Sequence, residues 1–181
     1  GMDDYLTKPV DLDRLLSLIS GDAARHPGRH IVLVFLGDYI DRGPHSRGVL
    51  DRLTTGPLPG AEVRFLAGNH EVAMLDFIAD PVANARWLDF GGAEAMASYG
   101  VRASVGVRDR GRLKDLRDQF TDRLPDTHRR FLDALEDYAV YGDYAFVHAG
   151  VKPGRALERQ RRDDLLWLRE PFLSSPARHG K

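Results

Sequence analysis

The segment that most constrains this chain is residues 31–36, IVLVFL, which runs straight into Gly37-Asp38-Tyr39-Ile40-Asp41-Arg42-Gly43. A short apolar run rich in β-branched residues and stopped by a glycine predicts a strand buried on both faces. Two further segments repeat the pattern. Residues 62–66, EVRFL, precede Gly68-Asn69-His70-Glu71, and residues 144–147, YAFV, precede His148-Ala149-Gly150. Each places polar side chains just past an apolar strand. In layered folds with helices on a sheet, the carboxyl ends of strands are where sites assemble, because their loops converge over a rigid support.

The rest of the chain reads as helices and turns around these strands. Residues 11–20, DLDRLLSLIS, carry leucine and isoleucine at helical spacing, with Gly21 as the expected stop. Residues 46–53 predict a short helix closed by Gly56-Pro57, and another helix follows Asn69. Residues 91–125 hold glycines and then the charged run RDRGRLKDLRDQFTDR. They read as an inserted stretch of loops and a solvated helix, since acidic residues interrupt the basic ones too often for a binding patch. Residues 126–135 predict a helix. Residues 138–141 and 144–148 flank Gly142-Asp143, the pattern of a tight hairpin. Alternating strands and helices give an α/β or α+β layered fold in one domain.

Composition narrows the classes that remain. There is no cysteine, so disulfides, thiolate metal sites and cysteine nucleophiles are excluded. With 26 basic and 27 acidic residues the formal net charge is -1, which gives no reason to expect nucleic acid or a membrane as partner. The longest apolar run is too short for a bilayer, and residues 1–10 lack the pattern of a signal peptide. A cytoplasmic protein is the expectation.

Oxygen and imidazole donors from separate strand ends form a natural cage for a hard or borderline divalent ion. Glycines beside them let the backbone turn sharply and leave room for a phosphate. Taken singly, each residue has an ordinary reading: Asp38 as a helix cap, Asn69 in a turn, His70 or His148 as satisfied histidines, Arg42 and Arg169 in surface ion pairs. In the order GDYIDRG, GNHE, HAG, the segments resemble the serine/threonine phosphoprotein phosphatase branch of the calcineurin-like metallophosphoesterases, of bacterial type. The resemblance covers about residues 11–175. It implies an α/β metallophosphoesterase-like layered β-sandwich flanked by helices, here lacking outer strands. It further implies that Asp38 bridges two metal ions and that Asn69 and His148 bind the second of them. His70 would protonate the leaving oxygen, with Asp41 orienting its ring. Arg42 would hold the phosphate, joined by Arg169 in LLWLRE, residues 165–170. The implied reaction is hydrolysis of phosphoserine or phosphothreonine in a phosphorylated protein, or of a small phosphoester, by a metal-activated water. Manganese is the expected ion, with iron or zinc able to serve; the family uses two, while one or none would suit this chain. Dinucleoside polyphosphate hydrolases resemble the same set but carry alanine where Asp41 stands, which sets them behind a protein phosphatase.

The pattern is incomplete. The family's GDxHG segment, which supplies two ligands to the first metal, does not occur, nor does its closing GHT-like segment. His179 stands too early and in a polar tail, while His26 and His30 precede the first strand and belong at its far end. Residues 1–19 instead resemble the last strand and helix of a response-regulator receiver domain, including Lys8-Pro9. A gapless alignment puts Asp4 at the first ligand position but Leu6 where histidine is required. Truncation, rearrangement or a catalytically inactive phosphatase-like binding module would each explain these gaps.

Overall fold

The computed structural model describes residues 11–176. The receiver-like residues 1–10, with Asp4, Leu6 and Lys8-Pro9, and the tail residue His179 lie outside them. The first helix, α1 (Leu12–Ala24), starts where Asp11 accepts the Arg14 amide at 3.0 Å. It runs through Gly21 rather than stopping there. A helix-interior glycine costs only about 1 kcal/mol against alanine, and here one glycine does not end the helix.

Strand β1 (Val32–Phe35) pairs in parallel with β2 (Glu62–Phe65), in the register Val32 to Glu62 and Phe35 to Phe65. The crossover between them carries α2 (Ser46–Thr54), as a parallel pair requires. Each residue of β1 is half-buried, not fully buried as the apolar run predicts, because among the described residues β1 has β2 as its one partner. Phe35 stacks on Phe65 at 5.1 Å, and Phe65 meets Phe131 edge-on at 4.9 Å. The second sheet is the expected hairpin, β3 (Tyr138–Tyr141) and β4 (Tyr144–Val147), turned at Gly142 with φ 56°. A single parallel bridge from Leu66 to Glu136 joins the two sheets. The architecture is mixed α/β, with two small sheets and helices packed on them.

The main core is helical. It is built by α3 (Asn69–Ala79), a 3-10 turn (Ala85–Phe90), α4 (Gly92–Ser98), α5 (Arg110–Arg123) and α6 (Asp126–Asp133). Here the charged run departs from its reading as a solvated helix. In α5, Leu113, Leu116 and Phe120 are fully buried beside Trp87 and Met96, so one face is core and the other is solvated. The spacing of these three residues is helical, but the arginines and aspartates around them mask it. The last helix, α7 (Arg162–Trp167), follows the hairpin. Among the described residues, no helix is long and apolar enough to cross a membrane.

His128, on α6, sits in this core with 1% of its surface exposed. Its Nδ1 meets the Tyr99 hydroxyl at 2.9 Å and its Nε2 meets Asp51 at 3.0 Å, with Arg47 nearby on α2. A neutral ring satisfies both contacts, with Nε2–H donating to Asp51 and Nδ1 accepting from Tyr99. Burial lowers the pKa of His128 and outweighs the attraction of Asp51. In the unfolded chain the ring titrates near ~6.5. The folded value lies below that, so the unfolded state binds the proton more readily. The stabilisation is therefore full above ~6.5 and is lost as pH falls toward the folded value, by at most ~1.4 kcal/mol per pH unit. Urea denaturation between pH 7 and 5 should show this slope, and His128→Gln should flatten it. An unchanged slope in the variant would assign the acid sensitivity elsewhere.

Candidate metal and phosphate site

The loop after β1 is strained. Asp38, Asp41 and Arg42 have φ of 60°, 71° and 55°, a left-handed conformation that costs side-chain-bearing residues free energy and needs to be held in place. The holding group is Glu71 in the first turn of α3, fully buried. Its Oε2 accepts the Asp38 and Gly68 amides, each at 2.9 Å. Its Oε1 accepts the Tyr39 amide at 2.7 Å and the Ile40 amide at 3.3 Å. One carboxylate thus ties the loop after β1 to the loop after β2. Burial pushes the Glu71 pKa up, while the amide donors favour the charged form. Glycine is required where the loops touch. A Cβ on Gly37, at φ 94°, would lie 2.5 Å from the Gly68 nitrogen, and one on Gly68 would lie 2.5 Å from Asp38 Oδ1.

Asp41 lies behind this loop, and its side chain is wholly buried. Its Oδ2 receives His70 Nδ1–H at 2.7 Å and Trp87 Nε1–H at 2.9 Å, while its backbone amide donates to Ser46 Oγ at 3.1 Å. The hydrogen bond that His70 donates to Asp41 is the largest influence on the ring and raises its pKa, which favours the protonated form. Burial raises the Asp41 pKa, partly offset by the hydrogen bonds from His70 and Trp87. With Nδ1 committed to Asp41, the other ring nitrogen of His70 is left for the cleft.

His148 follows β4. Its Nδ1–H donates to the Leu36 carbonyl at 2.5 Å, which fixes the tautomer and leaves Nε2 a lone pair when the ring is neutral. That nitrogen lies 3.0 Å from Asn69 Oδ1 and 3.5 Å from Asp38 Oδ1. Asp38, Asn69 and a neutral His148 can each turn a lone pair toward one point, where a cation would be held. This donor set of carboxylate, amide oxygen and imidazole fits one divalent ion. Among the described residues no group of three His, Asp or Glu converges on such a point, because the third donor here is an amide.

The donors open on a cleft of about 490 Å³, lined by Asp38, Asn69, His70 and His148 together with Arg42 and Arg169. Every site residue expected from the sequence lines this cleft except Asp41, which stands behind His70. Neither Arg42 nor Arg169 makes a side-chain hydrogen bond or ion pair among the described residues, unlike an arginine in a surface ion pair. Trp167 and Leu173 form an exposed apolar rim. His30 pairs with Glu62 at the opposite end of the strands, as its position before β1 requires. A larger groove of about 650 Å³ runs past Leu53, Leu58, Val63, Phe65 and Phe131, but it gathers no acid, base or ligand set.

Residues 9–179 match the family model for calcineurin-like phosphoesterases. The chain belongs to that family. A search of curated proteins returns no match. The chemistry of calcineurin-like phosphoesterases is metal-dependent hydrolysis of phosphoesters, and the donor set above is compatible with it. Two parts of this phosphoesterase site escape the sequence reading. Glu71 stands three residues after Gly68, the spacing of a capping carboxylate, and that signal could have found it. Trp87 carries no local signal, since its contact with Asp41 spans 46 residues.

Proposed function

We propose that this phosphoesterase hydrolyses phosphomonoesters, with phosphoserine and phosphothreonine in proteins as its substrate class. The observation that carries the proposal is the cleft itself. Three metal-ligand types, an Asp-held histidine and two arginines without carboxylate partners among the described residues face one cleft. A divalent ion held by Asp38, Asn69 and His148 would supply a Lewis acid for water activation and for the phosphoryl charge. Manganese is the ion we favour, with iron and zinc as competitors. Arg42 and Arg169 suit the phosphoryl oxygens, which a guanidinium fork matches in shape and charge. His70 faces the leaving oxygen as a proton donor, with Asp41 fixing the ring. The presence of Asp41, where dinucleoside polyphosphate hydrolases carry alanine, favours a protein substrate.

The test is manganese affinity by calorimetry together with manganese-dependent hydrolysis of an aryl phosphate. Asn69→Ala and His148→Ala should each weaken binding by roughly tenfold or more and lower turnover in parallel. Unchanged binding and turnover in both would refute the assignment. A second reading has one specific support: three donors are in place among the described residues, where the family's two-ion site takes six. On that reading the chain is a phosphate-binding module. It would bind a phosphoserine peptide through Arg42 and Arg169 without turning it over. Comparing turnover of that peptide with turnover of a dinucleoside polyphosphate separates the protein and nucleotide readings.

A further inference from the structure

The indole of Trp87 is placed with unusual care for a core side chain. It is 2% exposed and packed between Phe77 at 5.1 Å and Phe120 at 5.8 Å. Gly92 makes room for it, since a Cβ there would lie 2.5 Å from the ring. This packing leaves the indole one orientation, and in it Nε1–H points at Asp41 Oδ2. The same oxygen takes the hydrogen bond to His70. The other carboxylate oxygen, Oδ1, is buried and has no partner among the described residues. The Asp41 side chain therefore rests on two donors, and both sit on one atom. Remove Trp87 Nε1–H and His70 alone holds the carboxylate, which loses its second restraint on rotation about Cβ–Cγ.

Any buried tryptophan seeks a partner for its N–H, and on that account alone Asp41 would serve Trp87. The geometry supports the reverse dependence as well. Three separate elements meet at Oδ2: the loop after β1, the first turn of α3, and the 3-10 turn that carries Trp87. The 3-10 turn is anchored in the helical core, and none of its residues lines the cleft.

We infer that Trp87 is a positioning residue for proton donation, holding Asp41 so that His70 presents its free ring N–H to the leaving oxygen. The inference rests on the reading of His70 as the proton donor. In that step a water oxygen bonds to phosphorus, the bond from phosphorus to the alkoxide oxygen breaks, and the proton on His70 Nε2 passes to that departing oxygen. The ring is left neutral, with Nδ1–H still on Asp41. Asp41 gains no proton, and Trp87 exchanges none.

A leaving group that needs no proton should be indifferent to this apparatus, which gives the test its contrast. In Trp87→Phe, kcat on a phosphoserine peptide should fall about ten- to a hundredfold, the range for groups that orient a first contact. On 2,4-dinitrophenyl phosphate it should change by no more than about twofold, with KM unchanged on both, since a good leaving group draws little on general acid catalysis. The His70 Nδ1–H proton resonance, read at low temperature without substrate, should shift and exchange faster. Should Trp87→Phe fail to fold, the isosteric analogue with sulfur in place of the indole N–H at position 87 keeps the shape and removes the donor. An unchanged His70 resonance, or equal slowing of both substrates, overturns the role of Trp87. His70→Asn is the control. If it slows both substrates equally, the reading of His70 as proton donor fails. The resonance then still decides whether Trp87 holds the Asp41–His70 pair.

Discussion

Glu71→Ala is expected to lower the folding stability by about 2–4 kcal/mol, a large share of the ~5–15 kcal/mol typical of a domain. The substitution strips the acceptor from four backbone amides at once, those of Asp38, Tyr39, Ile40 and Gly68. A buried amide left without a partner costs roughly 1–3 kcal/mol; those of Ile40 and Gly68 are buried and those of Asp38 and Tyr39 half-buried, and part is recovered as the loop relaxes toward water. Relaxation has its own consequence, because the left-handed backbone at Asp38, Asp41 and Arg42 persists only while it is held. Turnover should vanish even in whatever fraction remains folded. Glu71→Gln refines the test. Each carboxylate oxygen takes two amides, so whichever oxygen becomes NH₂ leaves two donors facing a donor. Guanidinium denaturation would measure both variants. A loss under about 1 kcal/mol for Glu71→Ala would show that the loop holds itself.

The second large effect is on chemistry and leaves the fold alone. His70→Asn should lower kcat on a phosphoserine peptide by about 10²- to 10⁴-fold, the usual contribution of a positioned general acid. Manganese affinity should not move, since His70 is outside the donor set of Asp38, Asn69 and His148. Stability should change little, because an asparagine amide can still donate to Asp41 Oδ2. Steady-state kinetics beside a binding isotherm would separate the two quantities. If affinity falls with kcat, His70 shapes the ion site and is not a proton donor. Retained kcat would remove it from the reaction altogether.

Most of the cleft was legible in the sequence, for a physical reason. Asp38, Asp41, Arg42, Asn69 and His70 lie in short runs directly after β1 and β2, and the ends of parallel strands sharing a sheet converge. His148 follows β4 of the separate antiparallel hairpin and is brought in by packing. The order of elements was legible too, because apolar periodicity and glycine punctuation are local signals. Interactions across the fold were not. Trp87 resembles any core aromatic until its indole is seen against Asp41. The buried face of α5 is three apolar residues among eleven others, mostly charged, so a solvated helix was the natural reading. Strand β1 reads as buried on both faces because its composition reports what it can tolerate. Its neighbours are set by the rest of the chain.

The bridge between Leu66 and Glu136 has a kinetic consequence. Asp38 and Asn69 come from one side of it and His148 from the other, with Asn69 and His148 separated by 79 residues in sequence. Contacts of that separation form late, because the entropy of closing a long loop is lost before any contact repays it. No locally folded fragment can therefore gather the three donors. Capture of an ion becomes a report that the hairpin has docked and the whole chain has reached its final topology.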